Sequence, residues 1–162
     1  MIVNQGAFYL LAFATIGTLL AASFFLINRD GSLTEAGLKV KKISLRFALA
    51  WFITAVLGVL FKVSSILDVS LVDALDGTTL NSYLTQTSLG KAMFIQVIAL
   101  AVVLFTLPFI KRTLPLVFIT VIAMAGLISP VFQSHSAAGG SHMLAIGALV
   151  THVIALTLWV GG

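Results

Sequence analysis

The only imidazoles of the chain, His135, His142 and His152, fall within eighteen consecutive residues near its C-terminal end. The thioethers are Met93, Met124 and Met143, together with Met1. There is no cysteine, so disulfides and thiolate metal sites are excluded. Imidazole and thioether, without thiolate or carboxylate, form a soft donor set that suits Cu(I) better than Zn²⁺ or Mg²⁺. The candidate metal-binding residues are therefore His135, His142, His152, Met124 and Met143.

Their depth depends on the elements that carry them. His152 lies ten residues after His142 within an apolar run, which on a helix is about 15 Å. An ionisable group that far into a bilayer is expected to face protein or a cavity. Ala145, Ala148 and Ala155 share its side of the helix, where small residues let another helix approach, and Trp159 is nearly in line. Met124 falls at a similar level on the preceding segment, and Met143 adjoins His142. The spacing suggests a route from His135, His142 and Met143 at a mouth to His152 and Met124 below. The plainer alternatives are packing for Met93 and Met124, solvation or interfacial anchoring for His135 and His142, and for His152 a hydrogen bond to Thr15, Thr18, Thr54 or Thr120.

The composition makes the positioning elements membrane helices. Of 162 residues 60% are hydrophobic and 9% charged, and the mean hydropathy is +1.16. A soluble domain carries about 25% charged residues, so this chain can cover a bundle facing lipid but not a soluble globule. Five apolar segments are long enough to cross: 6–28, 47–67, 92–110, 114–132 and 142–162. Lipid cannot satisfy free peptide groups, so each is expected to be helical. The expected fold is an all-α polytopic membrane bundle of five transmembrane helices, forming one domain over residues 1–162.

Charge orients the bundle. Residues 29–46 hold Arg29, Lys39, Lys41, Lys42 and Arg46, and residues 111–113 hold Lys111 and Arg112. By the positive-inside rule both connections are cytoplasmic. Residues 68–91 carry Asp68, Asp73 and Asp76 against Lys91 alone, and residues 133–141 carry no Lys or Arg, so these fall outside together with the N terminus. The net charge of +4 thus reports topology rather than nucleic-acid binding. No basic segment precedes the first apolar run, so that run reads as a retained span.

The outer connection shows Leu71, Leu75, Leu80 and Leu84 at spacings for short surface helices. Asp76-Gly77 reads as the turn between them, and Ser88 as a cap for the third span. Pro115 suits a helix start, while Pro108 and Pro130 are expected to bend the ends of their helices. A kink at Pro130 would free the Gly126 carbonyl. Lys62, the one charge inside an expected span, is expected to snorkel to the outer interface or to pair with Asp68.

The C-terminal stretch, with Ser134-His135-Ser136-Ala137, then His142, then His152 followed by Trp159-Val160-Gly161-Gly162, resembles the CopD-type copper-resistance membrane domain. It is particularly similar to actinobacterial fusions of that domain with a cytochrome c oxidase assembly domain. The resemblance implies copper handling at the bacterial plasma membrane, by uptake or by supply to cuproenzymes such as the terminal oxidase. It supports His135, His142 and His152 as functional positions, with Trp159, Gly161 and Gly162 as motif structure. It also implies further helices beyond Gly162, so that this chain corresponds to the N-terminal part of a longer domain.

Three functions compete at this stage. The first is a copper-binding transporter or chaperone half, working with further membrane helices or subunits. The second is a non-catalytic accessory subunit of a respiratory oxidase. The third is a haem-binding membrane cytochrome, where a single deep histidine disfavours bis-histidine ligation but leaves His152 with Met124 open. The sequence carries no nucleotide loop, HExxH or GxSxG motif, so the expected protein is not an enzyme.

Overall fold

Helix boundaries in this chain follow capping residues rather than the edges of the apolar runs. The structure, a computed structural model, describes residues 2–134 together with Gly147, Ala148, Thr151, His152, Ala155 and Trp159. The described residues form five α-helices: α1 (Ile2–Phe24), α2 (Glu35–Leu67), α3 (Gly77–Gln86), α4 (Ser88–Thr106) and α5 (Thr113–Ser134). Two 3-10 turns, Asp73–Leu75 and Leu107–Phe109, connect them. The six residues described beyond α5 are helical. Helices α1, α2, α4 and α5 are long and apolar enough to cross a membrane. The all-helical membrane architecture read from composition is therefore present, with four such helices among the described residues.

Helix α2 corrects the expected first connection. Residues 35–46, expected as loop, are the opening turns of one 33-residue helix. Thr34 caps it by accepting a hydrogen bond from the Gly37 amide at 3.0 Å, and an exposed Glu35–Lys39 pair at 2.8 Å spans its first turn. No proline interrupts it, and Asp68 ends α2 in a left-handed conformation at φ 53°. Hydropathy marks where lipid begins, not where a helix does, and a charged turn continues outside the apolar layer without interruption.

The loop before α2 is pinned to the connection between α4 and α5. Leu33 donates its amide to the Lys111 carbonyl, and Thr113 donates its own to Gly31, each at 3.0 Å. Lys41 completes this clasp. It is buried, with 7% of its surface exposed, and its ammonium donates to the carbonyls of Pro108 and Ile110 at 3.0 and 2.6 Å. A cation thus caps the carbonyl end of α4 and its 3-10 turn. Pro108, expected to bend the helix, instead sits in that turn after α4 has ended. Replacing Lys41 by Met keeps the aliphatic stem but leaves both carbonyls without this donor. Thermal unfolding in detergent is expected to show a loss of about 1 kcal/mol, since relief of the buried ammonium offsets part of the lost bonding.

At the other end, the expected surface helices appear as the 3-10 turn and α3. Asp76 is the N-cap of α3, accepting from the Thr79 amide at 2.8 Å, and that bond holds its carboxyl below the usual range. Thr87, not Ser88, caps α4, accepting from the Gly90 amide at 2.9 Å. Leu71 and Leu75 are exposed, while Tyr83 with Val59, Val63 and Ala74 forms a small buried cluster under α3. Leu80 and Leu84 pack against it.

The main core lies between the spanning helices, with Ile16, Leu19, Trp51, Leu100, Leu116 and Leu127 fully or almost fully buried. Helices α1 and α2 make the most extensive contact, followed by α4 and α5. Ala12, Ala22, Ala48 and Ala55 let these backbones approach. Between α1 and α2, Ser44 donates to the Thr18 hydroxyl at 2.6 Å.

Candidate functional site

Four helices converge around a cavity of about 240 Å³ at the end of the bundle opposite the α4–α5 connection. Its wall is built from the first turns of α1 (Asn4, Gln5), the second half of α2 (Thr54, Gly58, Lys62), the first turns of α4 (Met93, Gln96) and the last turns of α5 (Leu127, Pro130). Gly58 leaves part of this space open. A Cβ there would sit 3.7 Å from the Asn4 amide nitrogen and 3.9 Å from the Met93 methyl carbon.

The polar lining is held in place. Asn4 donates to the Thr54 carbonyl at 3.2 Å, tying the start of α1 to α2. Gln96, almost fully buried, donates to the Gly126 carbonyl at 3.1 Å. Pro130 inside α5 has no N–H to offer that carbonyl, so the acceptor anticipated at Gly126 is present and Gln96 satisfies it. Ser129 adds a second bond between the same helices, to the Ala92 carbonyl at 3.1 Å. The Tyr83 hydroxyl, reaching from α3, donates to the Met93 sulfur at 3.6 Å. Lys62 is half-buried on the cavity wall; the ion pair formed among the described residues is Lys39–Glu35, so the pairing considered for Lys62 with Asp68 is not made.

The proposed donors are distributed unevenly. Met124 is half-buried against the main core. His152 is helical and exposed. His135, His142 and Met143 lie outside the described residues. The stripe expected to face inward is exposed at Ala148, His152, Ala155 and Trp159, the last with 85% of its surface free. Small-residue spacing identifies a face suited to helix contact without identifying the helix that covers it. The four hydroxyls considered as partners for His152 each donate to a carbonyl of their own helix: Thr15 to Leu11 at 2.7 Å, Thr18 to Ala14 at 2.6 Å, Thr54 to Trp51 at 2.8 Å and Thr120 to Leu116 at 2.9 Å.

The cavity offers one thioether and neutral carboxamides and shares them with the Lys62 ammonium, and no group of three or more His, Cys, Asp or Glu side chains converges among the described residues. Sequence reasoning singled out Met93 and Lys62, and Thr54 only as a partner for His152, but missed Asn4, Gln5 and Gln96. The available signal was uncharged amide side chains near the ends of apolar runs, a costly placement in lipid.

Comparison with known families supplies what the geometry leaves open. The family model described as "Copper resistance protein D-like, N-terminal domain" matches residues 1–144. The chain belongs to this family. The CopD-type resemblance carried by the histidine segment is thereby shown for most of the chain, and with it a role in copper handling at a membrane. Neither the curated proteins nor the solved structures give a match. Of the five candidate ligands, Met124, His135, His142 and Met143 fall inside the matched residues, and His152 follows them.

Proposed function

We propose that this protein binds Cu(I) at the outer half of a plasma-membrane bundle and carries it inward or delivers it to cuproenzymes, without catalysing a reaction of its own. The observation that carries the reading is the copper-resistance family match over residues 1–144. The positive-inside rule supports the topology: the basic residues of α2 and of the α4–α5 connection lie on the cytoplasmic side, and the N terminus and α3 lie outside. His135, His142 and Met143 take the metal at the mouth, and His152 with Met124 forms the deeper station. Thioether and imidazole ligands hold Cu(I) in preference to harder cations.

The exposed stripe through Ala148, His152, Ala155 and Trp159 supports further membrane helices or subunits on that face, with a terminal oxidase as one such partner. On this reading His152 meets copper at a junction between this chain and its neighbour.

Cu(I) titration of detergent-purified protein, with a chromophoric chelator as competitor, tests the proposal. The wild type is expected to bind stoichiometric copper, and His152→Ala to bind it about ten-fold more weakly, a change of about 1.4 kcal/mol. Equal affinity in the two proteins removes His152 from the site, and absence of bound copper defeats the reading. A visible haem spectrum lost on His152→Ala or Met124→Ala would instead establish a membrane cytochrome.

A further inference from the structure

The basic end of the bundle carries an open groove of about 960 Å³ between the end of α4, its 3-10 turn and the first turns of α5. Its walls are aromatic and aliphatic. Phe105, Phe109, Leu114 and Phe118 line it and are 77%, 82%, 69% and 62% exposed. Lys111 and Arg112 line the same groove and are exposed. The groove therefore combines a long apolar trough with two cations, which is the chemistry of an acyl chain joined to an anionic headgroup.

The cations are mounted on ordered backbone. The Lys111 carbonyl accepts from Leu33, Arg112 bridges Ser32, and Thr113 bonds Gly31 through its amide at 3.0 Å and its hydroxyl at 3.1 Å. Asp30 is the carboxylate whose charge interacts with Arg112. That carboxyl is occupied by Ser32, which donates from its amide at 3.0 Å and its hydroxyl at 2.7 Å, and among the described residues no ion pair to Arg112 forms. Both Lys111 and Arg112 thus remain available to a ligand. Around them the basic end holds Arg29, Lys39, Lys41, Lys42 and Arg46 against Asp30 and Glu35, so its field favours an anion.

We propose that this groove is a binding site for an anionic phospholipid, with the phosphate at Lys111 and Arg112 and an acyl chain along Phe105, Phe109 and Phe118. The site is independent of copper and lies at the opposite end of the bundle from the cavity. The phenylalanine rings carry no polar group and suit the acyl chain, and the cations select phosphatidylglycerol over phosphatidylcholine.

Native mass spectrometry of the whole chain in detergent, titrated with phosphatidylglycerol or phosphatidylcholine of identical chains, reads this preference. The wild type is expected to favour phosphatidylglycerol about ten-fold or more, and Lys111→Gln/Arg112→Gln to favour it about two-fold or less. Lys39→Gln, at the same end but outside the groove, is expected to keep the wild-type preference. Phe109→Ala is expected to weaken both lipids alike. Raising salt on the wild type alone is expected to erode the preference. The proposal is overturned if the two lipids bind equally to the wild type, if Lys39→Gln loses as much as the double variant, or if inorganic phosphate at millimolar concentration displaces the lipid completely. A dimer through this face that excludes lipid would overturn it as well.

Discussion

Gly90→Ala is expected to cost about 3 kcal/mol or more, and to release α3 from the bundle before the spanning helices part. The corner between α3 and α4 closes over Gly90 so tightly that a Cβ there would overlap the carbonyl oxygen of Tyr83. It would also lie 2.6 Å from the Thr87 hydroxyl and 2.7 Å from the Tyr83 carbonyl carbon. Most of these atoms are backbone and cannot rotate away, so the strain must be relieved by moving a helix. The same corner is held by the Thr87 hydroxyl, which donates to Tyr83 at 2.8 Å and accepts from the Gly90 amide. Tyr83 in turn anchors the small cluster with Val59 and Val63 and reaches the Met93 sulfur on the cavity wall. Displacing α3 therefore uncovers one side of the cavity. Gly77→Ala is the matched control: it opens the same helix, and a Cβ there meets nothing within 4 Å. A change of that kind is neutral or stabilising by about 0.5 kcal/mol. Hydrogen exchange across α3, together with thermal unfolding in detergent, distinguishes the two. Similar protection of α3 in both variants would show that the corner adjusts without displacing the helix.

The residues differ sharply in how much of their role can be read from sequence. The membrane class follows from the apolar fraction, because no folding arrangement can hide so much hydrocarbon from water in a chain with so few charges. The turn at Asp76-Gly77 was legible because an Asp-Gly dipeptide breaks regular structure; that Asp76 also caps α3 was not read, and Ser88 was read as a cap in place of Thr87. The Gly126 carbonyl was legible for a similar reason: proline removes a donor at a fixed offset. What could not be read depends on pairs far apart in the chain. Lys41 looks like one more cation in a basic connection, yet its ammonium reaches carbonyls 67 and 69 residues away. Asn4 and Gln96 look unrelated until four helices bring them to one cavity. The first turns of α2 were misread as loop because hydropathy falls there while helical hydrogen bonding continues. For His152 the residue type and its small neighbours mark a face suited to helix contact, and that face is exposed at Ala148, His152, Ala155 and Trp159, so none of the described helices covers it.

Gln96→Leu carries the second large expectation, a loss of about 2 kcal/mol that depends on Pro130. A hydrogen bond between membrane helices is worth only about 0.6 kcal/mol on average, because partners are also found in the unfolded bilayer state. Here the acceptor raises the stake. The Gly126 carbonyl faces Pro130 where its helix would otherwise supply an N–H, and the Gln96 amide at 3.1 Å satisfies it in a buried setting. Leucine is close in size and fills the same space, so packing changes little, and the cost is that of an orphaned buried carbonyl. Close approach sharpens it further: a Cβ on Gly126 would lie 3.0 Å from that of Ala99, leaving little room for water to replace the amide. The coupling is measurable as a double-mutant cycle. Pro130→Ala restores an in-helix donor to Gly126, so in that background Gln96→Leu is expected to cost less than about 1 kcal/mol. A full loss in both backgrounds would mean that Gln96 acts through the cavity rather than through the proline-freed carbonyl. An undiminished stability in the single variant would mean that water reaches Gly126 from the cavity side and replaces the amide.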